Sequence, residues 1–222
     1  MAYLRSGLFA EGKTDYNLLM PLLRRLIEQL CREEARGIVE VAEVEGLDAP
    51  APHRHADRAT RIVEAARDFW GGQCILFVHA DGGGDRDRSE REQVAPAMKR
   101  IGESRYGGAC VPVIPVREIE AWALTDGDAL RRAFGTTLSD EELRIARRPR
   151  EVERILKPKD DLRAAYEAAT GPARRRRVTV GDFYTRIGES VDLTKLREVE
   201  AFQALEEGLR GTLRGFGLLT PG

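Results

Sequence analysis

The sequence predicts an α/β fold: a mostly parallel four-stranded sheet flanked by helices, with a helical C-terminal extension. Three observations predict it. Short runs rich in apolar and β-branched residues recur between Tyr3 and Val116, and helical periodicity fills the gaps between them. The resulting β-α-β-α-β-α-β order argues for parallel strands with helices on both faces. Beyond Glu118 no strand pattern recurs and helical candidates follow one another. The division expected is an α/β core over residues 1–125 and a helical extension over 126–222 packed on it. The length of 222 residues fits one domain with such an extension.

The elements follow in order. Tyr3 to Ala10 reads as a strand ending in Glu11-Gly12. Leu18, Leu19, Leu22, Leu23, Leu26, Ile27 and Leu30 then mark one face of a helix. Thr14 or Asp15 can cap it, and Pro21 about one turn in can kink it. Ile38 to Val44 alternates apolar and polar residues as a second strand. Ala56 to Trp70 has helical periodicity and is closed by Gly71-Gly72. Cys74 to Val78 is an unbroken apolar strand that runs into His79-Ala80-Asp81 and the glycines Gly82, Gly83 and Gly84. Ser89 to Ile101 reads as a helix with Ser89 as cap. Cys110 to Val116 carries Pro112 and Pro115, which cannot donate to a ladder, so it reads as an edge or short strand. Glu118–Leu124, Asp140–Arg148, Glu151–Leu156, Asp160–Thr170 and Leu193–Leu209 are the further helical candidates, and Gly171-Pro172 is a turn.

Composition narrows the class. Hydrophobic content of 42% with 33% charged residues describes a globular chain with a highly charged surface. A formal charge of −1 advertises no global field for nucleic acid, but charge is unevenly spread. From Arg144 to Arg177 there are 12 Lys/Arg against 5 Asp/Glu. Cys31, Cys74 and Cys110 are odd in number and far apart, which fits neither a disulfide framework nor a zinc knuckle. No apolar run approaches the ~20 residues of a membrane span, and no signal-peptide pattern opens the chain. A cytoplasmic location with no membrane partner is expected.

The chemistry concentrates where strands end. In open α/β sheets ligands sit beyond the carboxyl ends of the strands. Glu11 and Asp81 both follow strands and both precede glycine. If their strands are neighbours, ~4.8 Å apart, the two carboxylates can share an ion, and hard oxygen donors suit Mg²⁺ or Mn²⁺. The alternative is that each only caps the helix that follows. Asp85 or Asp87 can supply a third carboxylate or form a solvated loop with Arg86 and Arg88. Glu118 and Glu120 fall at the same sheet edge. They point about 200° apart on a helix, so one of them should face the site, and Glu120 is the choice. His79 shares a strand face with Asp81 and either orients a carboxylate, touches substrate or packs in the core. His53 and His55 read as exposed loop histidines, because no further ligands stand at zinc spacing. Arg147-Arg148-Pro149-Arg150, Lys157-Pro158-Lys159 and Arg174 to Arg177 form a basic segment able to bind phosphates or simply to face solvent. Lys159 could stabilise a phosphate beside a bound metal. No P-loop, dinucleotide fingerprint or nucleophile elbow occurs.

LFAEGKTD, followed by a Leu-rich helix and then ILFVHAD, resembles a TOPRIM domain, the Rossmann-like topoisomerase–primase fold. More narrowly, the chain resembles a small bacterial TOPRIM-like family of uncharacterised proteins, through EGKTD, REIEAWALTD, Pro158-Lys159 and the late Glu200-Ala201-Phe202. The resemblance covers most of the chain and implies Mg²⁺- or Mn²⁺-dependent phosphodiester hydrolysis of DNA or RNA. It is similar in outline to nucleases of the overcoming-lysogenization-defect type, which work with an AAA- or ABC-type ATPase in defence against phage. Carried over by position, Glu11 matches the first-strand glutamate and Asp81 the first aspartate of Asp-x-Asp. The place of the second aspartate holds Gly83, so Asp85 or Asp87 would have to substitute from a longer loop, or that ligand is lost. The resemblance therefore implies a nuclease with Glu11, Asp81, Glu120 and Lys159 in catalysis. A regulatory or interaction subunit of an ATPase complex, without activity of its own, is the alternative. A hydrolase or transferase on a small phosphorylated molecule is a third, and self-association is left open.

Overall fold

A computed structural model describes residues 1–104, 108–145, 148–170 and 178–221. Four strands form one all-parallel sheet: β1 (Ala2–Phe9), β2 (Val39–Gly46), β3 (Gln73–His79) and β4 (Ala109–Val113), in the order β2-β1-β3-β4. β3 is buried on both faces, which is why its sequence is continuously apolar rather than alternating. Its side chains still divide by parity. Ile75 and Phe77 enter one core, and Cys74, Leu76 and Val78 enter the other. β4 lies at an edge, where Pro112, with no N–H to give to a ladder, is tolerated.

Helices cover both faces. α1 (Lys13–Glu34) buries all seven predicted leucine and isoleucine positions against one face, and Pro21 lies within the unbroken helix. α2 (Arg58–Ala65) and the helices after β3 cover the other face, with Ala59, Ile62, Val94, Ala97 and Ile101 in its core. Those later helices are α3 (Arg86–Ser89) and α4 (Ala95–Gly102), joined by a π-turn over Glu90–Val94. The C-terminal helices pack on the α1 side. They are α5 (Glu120–Ala123), α6 (Gly127–Phe134), α7 (Pro158–Ala169), α8 (Tyr184–Ser190), α9 (Leu193–Leu196) and α10 (Glu200–Gly215). Their apolar faces share a core with α1 and the sheet, including edge-to-face pairs Trp122–Phe202 and Phe134–Phe183. No helix of the described residues is long and apolar enough to cross a membrane.

Several elements depart from expectation for identifiable reasons. The helix expected from Ser89 begins at Arg86, because Asp85 is the cap: its carboxylate accepts the Arg88 N–H at 3.0 Å. Ser89 is inside the helix, and its hydroxyl instead donates to the Asp81 carbonyl at 2.8 Å. At α1 the cap is Gly12. Asp15, at the third helical position, accepts the Gly12 N–H at 2.7 Å. α2 stops at Ala65, short of Trp70. The 118–124 candidate shrinks to the four residues of α5. Glu151–Leu156 is a 3₁₀ turn over Pro149–Arg154. Residues 140–144 are turns, and Arg147, in the same candidate, lies outside the described residues, as do Gly171-Pro172 and Arg174 to Arg177. Leu193–Leu209 is two helices, broken at Val199, whose backbone is extended. Two helices escaped the periodicity reading altogether, α6 and α8; each is only about two turns long.

Candidate metal centre

The chain reverses its direction across the sheet between β1 and β3. These two strands are hydrogen-bonded neighbours, with Phe9 opposite Val78 at the end of their pairing. From β1 the chain leaves to α1 on one face, and from β3 to α3 and α4 on the other. Two connections that part in this way leave a crevice at the carboxyl ends of their strands. Glu11 and Asp81 are each the second residue beyond their strand, so they flank that crevice.

The glycines hold the Asp81 side in place. Gly82 lies so close to the segment after β4 that a Cβ there would collide with the carbonyl oxygens of Pro115 and Val116. The Gly84 N–H donates to the Val116 carbonyl at 2.8 Å. Gly83 and Gly84 adopt φ of 58° and 97°, the region glycine enters without penalty. The loop is thus a seam that joins the exit of β3 to the exit of β4.

Charged groups converge on the crevice. The Glu11 carboxylate meets Arg58 Nη1 at 3.2 Å. Arg58 is held from behind, donating from Nη2 to the His79 carbonyl at 2.6 Å and from Nε to the Gln93 carbonyl at 3.2 Å. Burial lowers the Arg58 pKa, and the charges of Glu11 and Asp81 act against that. His79 is fully buried, with Nδ1 at 2.8 Å from the Val113 carbonyl. Its Nε2 faces Asp81 Oδ1 at 3.5 Å and Asp15 Oδ2 at 3.8 Å, and has no hydrogen-bond partner. Burial opposes the imidazolium, but the attraction of the Asp81 carboxylate, with help from the Val113 carbonyl and Asp15, outweighs it and raises the His79 pKa.

A second group adjoins the first. Glu120, at the start of α5, is 3% exposed and accepts the Tyr184 hydroxyl proton at 2.8 Å. Lys159 Nζ stands 3.7 Å from the same carboxylate oxygen. Burial raises the Glu120 pKa, against the pull of Tyr184 and Lys159. Burial, with the neighbouring charges of Glu120, Asp15 and Glu118, pushes the Tyr184 phenol far up. The Asp15 carboxylate lies 3.8 Å from His79 Nε2, and its charge also acts on the Tyr184 phenol. Glu118 accepts the Lys159 N–H at 3.2 Å and thereby fixes the start of α7. Lys159 also borders a pocket of about 360 Å³ lined in part by Thr14, Arg163, Tyr166, Gly181 and Tyr184.

Of the six residues expected at the site, Glu11 and Asp81 flank the crevice, and Glu120 and Lys159 pair beside it. Asp85 and Asp87 are exposed, and the Asp85 carboxylate is engaged as a helix cap. Among the described residues no three His, Cys, Asp or Glu side chains already stand close enough to hold a metal ion. Arg58, Asp15 and Tyr184 were not singled out as site residues from the sequence. Asp15 carries a signal, since it lies one helical turn after Glu11 at a helix start, but a capping role hides it. Arg58 and Tyr184 carry none, because their relevance depends on packing across the molecule. His53 closes a 3₁₀ turn over Ala51–His53 and is partly exposed, with Nε2 3.6 Å from Glu64. No protein-family profile, curated protein or solved structure matches this chain.

Proposed function

We propose that the chain is a Mg²⁺- or Mn²⁺-dependent nuclease built on a TOPRIM-like core. The observation that carries the reading is the pair Glu11 and Asp81, each two residues beyond one of two neighbouring parallel strands, at the crevice where the chain reverses. The donor set fits a hard divalent cation: both are carboxylates, about a third and two fifths exposed at 35% and 42%. Asp85 or Asp87 would join them only by movement of the loop after Gly84, and Glu120 would serve beside them as a second-site ligand or base. A divalent ion held there would activate water and neutralise charge on a phosphodiester. Arg58 already neutralises Glu11, so this carboxylate is tolerated before any ion arrives. Lys159, with the exposed Arg148, Arg150 and Lys157 of the basic segment, would grip phosphates. A role in anti-phage defence, with an AAA- or ABC-type ATPase partner, is what the same resemblance implies.

Two observations favour a second reading, a regulatory subunit without catalysis. Gly83 stands where the second aspartate would be, and the Asp85 carboxylate is engaged as a helix cap. Incubating the purified chain with Mn²⁺ and labelled DNA or RNA separates the two. The nuclease reading expects cleavage that Asp81→Ala abolishes together with saturable Mn²⁺ binding. Intact substrates with no Mn²⁺ binding refute it. Binding without cleavage favours the regulatory subunit.

A further inference from the structure

His79 is an unusual residue to find at the floor of an acidic crevice. It is 0% exposed, and one ring nitrogen is satisfied while the other is not. The Val113 carbonyl can only accept, so the 2.8 Å contact identifies Nδ1 as the protonated nitrogen. In the neutral ring this leaves the lone pair on Nε2, aimed at the two carboxylates. The distances to Asp81 Oδ1 and Asp15 Oδ2, 3.5 and 3.8 Å, are too long for good hydrogen bonds. They approach the spacing of atoms that share an ion. Donors each ~2.1 Å from a metal lie ~3.0 Å apart at a right angle and ~3.4 Å apart at a tetrahedral one. Asp81, on the exposed side of this pair, is 42% exposed, whereas the imidazole is fully buried. The backbone hydrogen bond behind the ring is the arrangement that orients metal-binding histidines, because it fixes both tautomer and ring plane.

We propose that His79 Nε2 is a metal ligand, together with Asp81, and that the site takes a first-row transition-metal ion in preference to Mg²⁺, while Asp15 Oδ2 stays with the Gly12 N–H it accepts at 2.7 Å. Imidazole is a good donor to such ions, whereas Mg²⁺ keeps to oxygen donors and retains its water. The inference rests on the metal-dependent reading above and deepens it by assigning a ligand and a metal class.

The chain has three histidines, so the other two can be removed from the question. The test uses the full chain carrying His53→Ala and His55→Ala, loaded with Mn²⁺ and measured by pulsed electron paramagnetic resonance for coupling to an imidazole ¹⁴N. The expected result is such coupling, with calorimetric affinity for Mn²⁺ at least about tenfold above that for Mg²⁺. His79→Gln, checked by its melting curve, should lose the coupling and most of that preference. Saturable Mn²⁺ binding without ¹⁴N coupling overturns the role of His79 and leaves the metal-dependent reading standing. No Mn²⁺ binding in the unmutated chain overturns both. Because the coupling is read in a chain that retains His79, misfolding of His79→Gln would not spare the proposal.

Discussion

Single residues divide here into those whose neighbours are local and those whose neighbours are not. Asp126 shows the second kind. It is 1% exposed and looks, in sequence, like the acidic end of REIEAWALTD. In the fold it accepts the Asp128 N–H at 3.1 Å, the Asp192 N–H at 3.1 Å and the Lys195 ammonium at 2.7 Å. It is therefore a structural anchor between α6 and α9. Asp126→Ala strands two backbone donors and one partly buried cation, so it should cost about 3 kcal/mol in urea unfolding while leaving Mn²⁺ binding intact in the folded fraction. A loss of metal binding with unchanged stability would show that Asp126 belongs to the site instead. Burial alone does not distinguish an anchor from a ligand. Asp81 differs from Asp126 in remaining exposed and in facing a buried nitrogen that has no partner.

At the level of elements, the glycine loop after β3 carries most of the positional information. Three consecutive glycines suggest a turn, yet they do different things. Gly82 is needed for contact, since any side chain would strike the backbone of the neighbouring strand's exit. Gly83 has open space around it, and only its φ of 58° favours glycine. Gly83→Ala should therefore cost about 1 kcal/mol of stability. Gly82→Ala should cost at least twice that and weaken Mn²⁺ binding, because the loop must lift off and carry Asp81 with it. Thermal melts and calorimetry on the two variants provide the check, and equal effects would refute the docking role of Gly82. The strands and the long helix α1 were readable because each carries a sustained period. α6 was missed although Asp126 caps it and Gly135 ends it in a left-handed conformation. Eight residues are too few for periodicity to separate from chance, so its short length hid what its caps announce.

Across the whole molecule, charge ties the two ends of the chain together. Arg197 bridges Glu33 of α1, at 3.0 Å, and Glu206 of α10, also at 3.0 Å. Arg210 and Arg214 reach Glu34 at 2.8 and 3.2 Å. Hydrogen bonds from Arg197 and Gln29 lower the Glu33 pKa below its ordinary 4.5. A lowered folded pKa adds stability above the unfolded value and forfeits it as pH falls through the folded one. Melting temperature should therefore decline as pH drops below about 4.5, and Glu33→Gln should flatten part of that decline. An identical acid profile in the variant would show that the Arg197 bridge contributes nothing. Val111 and Val113 of β4 share one core with Trp122, Phe202 and Leu205, so the helical segment covers sheet surface that would otherwise face water.

The sequence by itself determined the strand-and-helix alternation, the proline-limited pairing of β4, and the placement of Glu11 and Asp81 at strand ends. These depend on local periodicity, proline chemistry and the regular geometry of parallel sheets, all of which act over a few residues. Tertiary structure decided which carboxylates have company. Glu120 sank against Tyr184, and Arg58 came from another element to meet Glu11. Those outcomes hinge on side chains 47 to 64 positions apart in the chain meeting at contact distance. Only packing sets such distances, because neither period nor spacing along a chain encodes the direction of a side chain relative to a distant one.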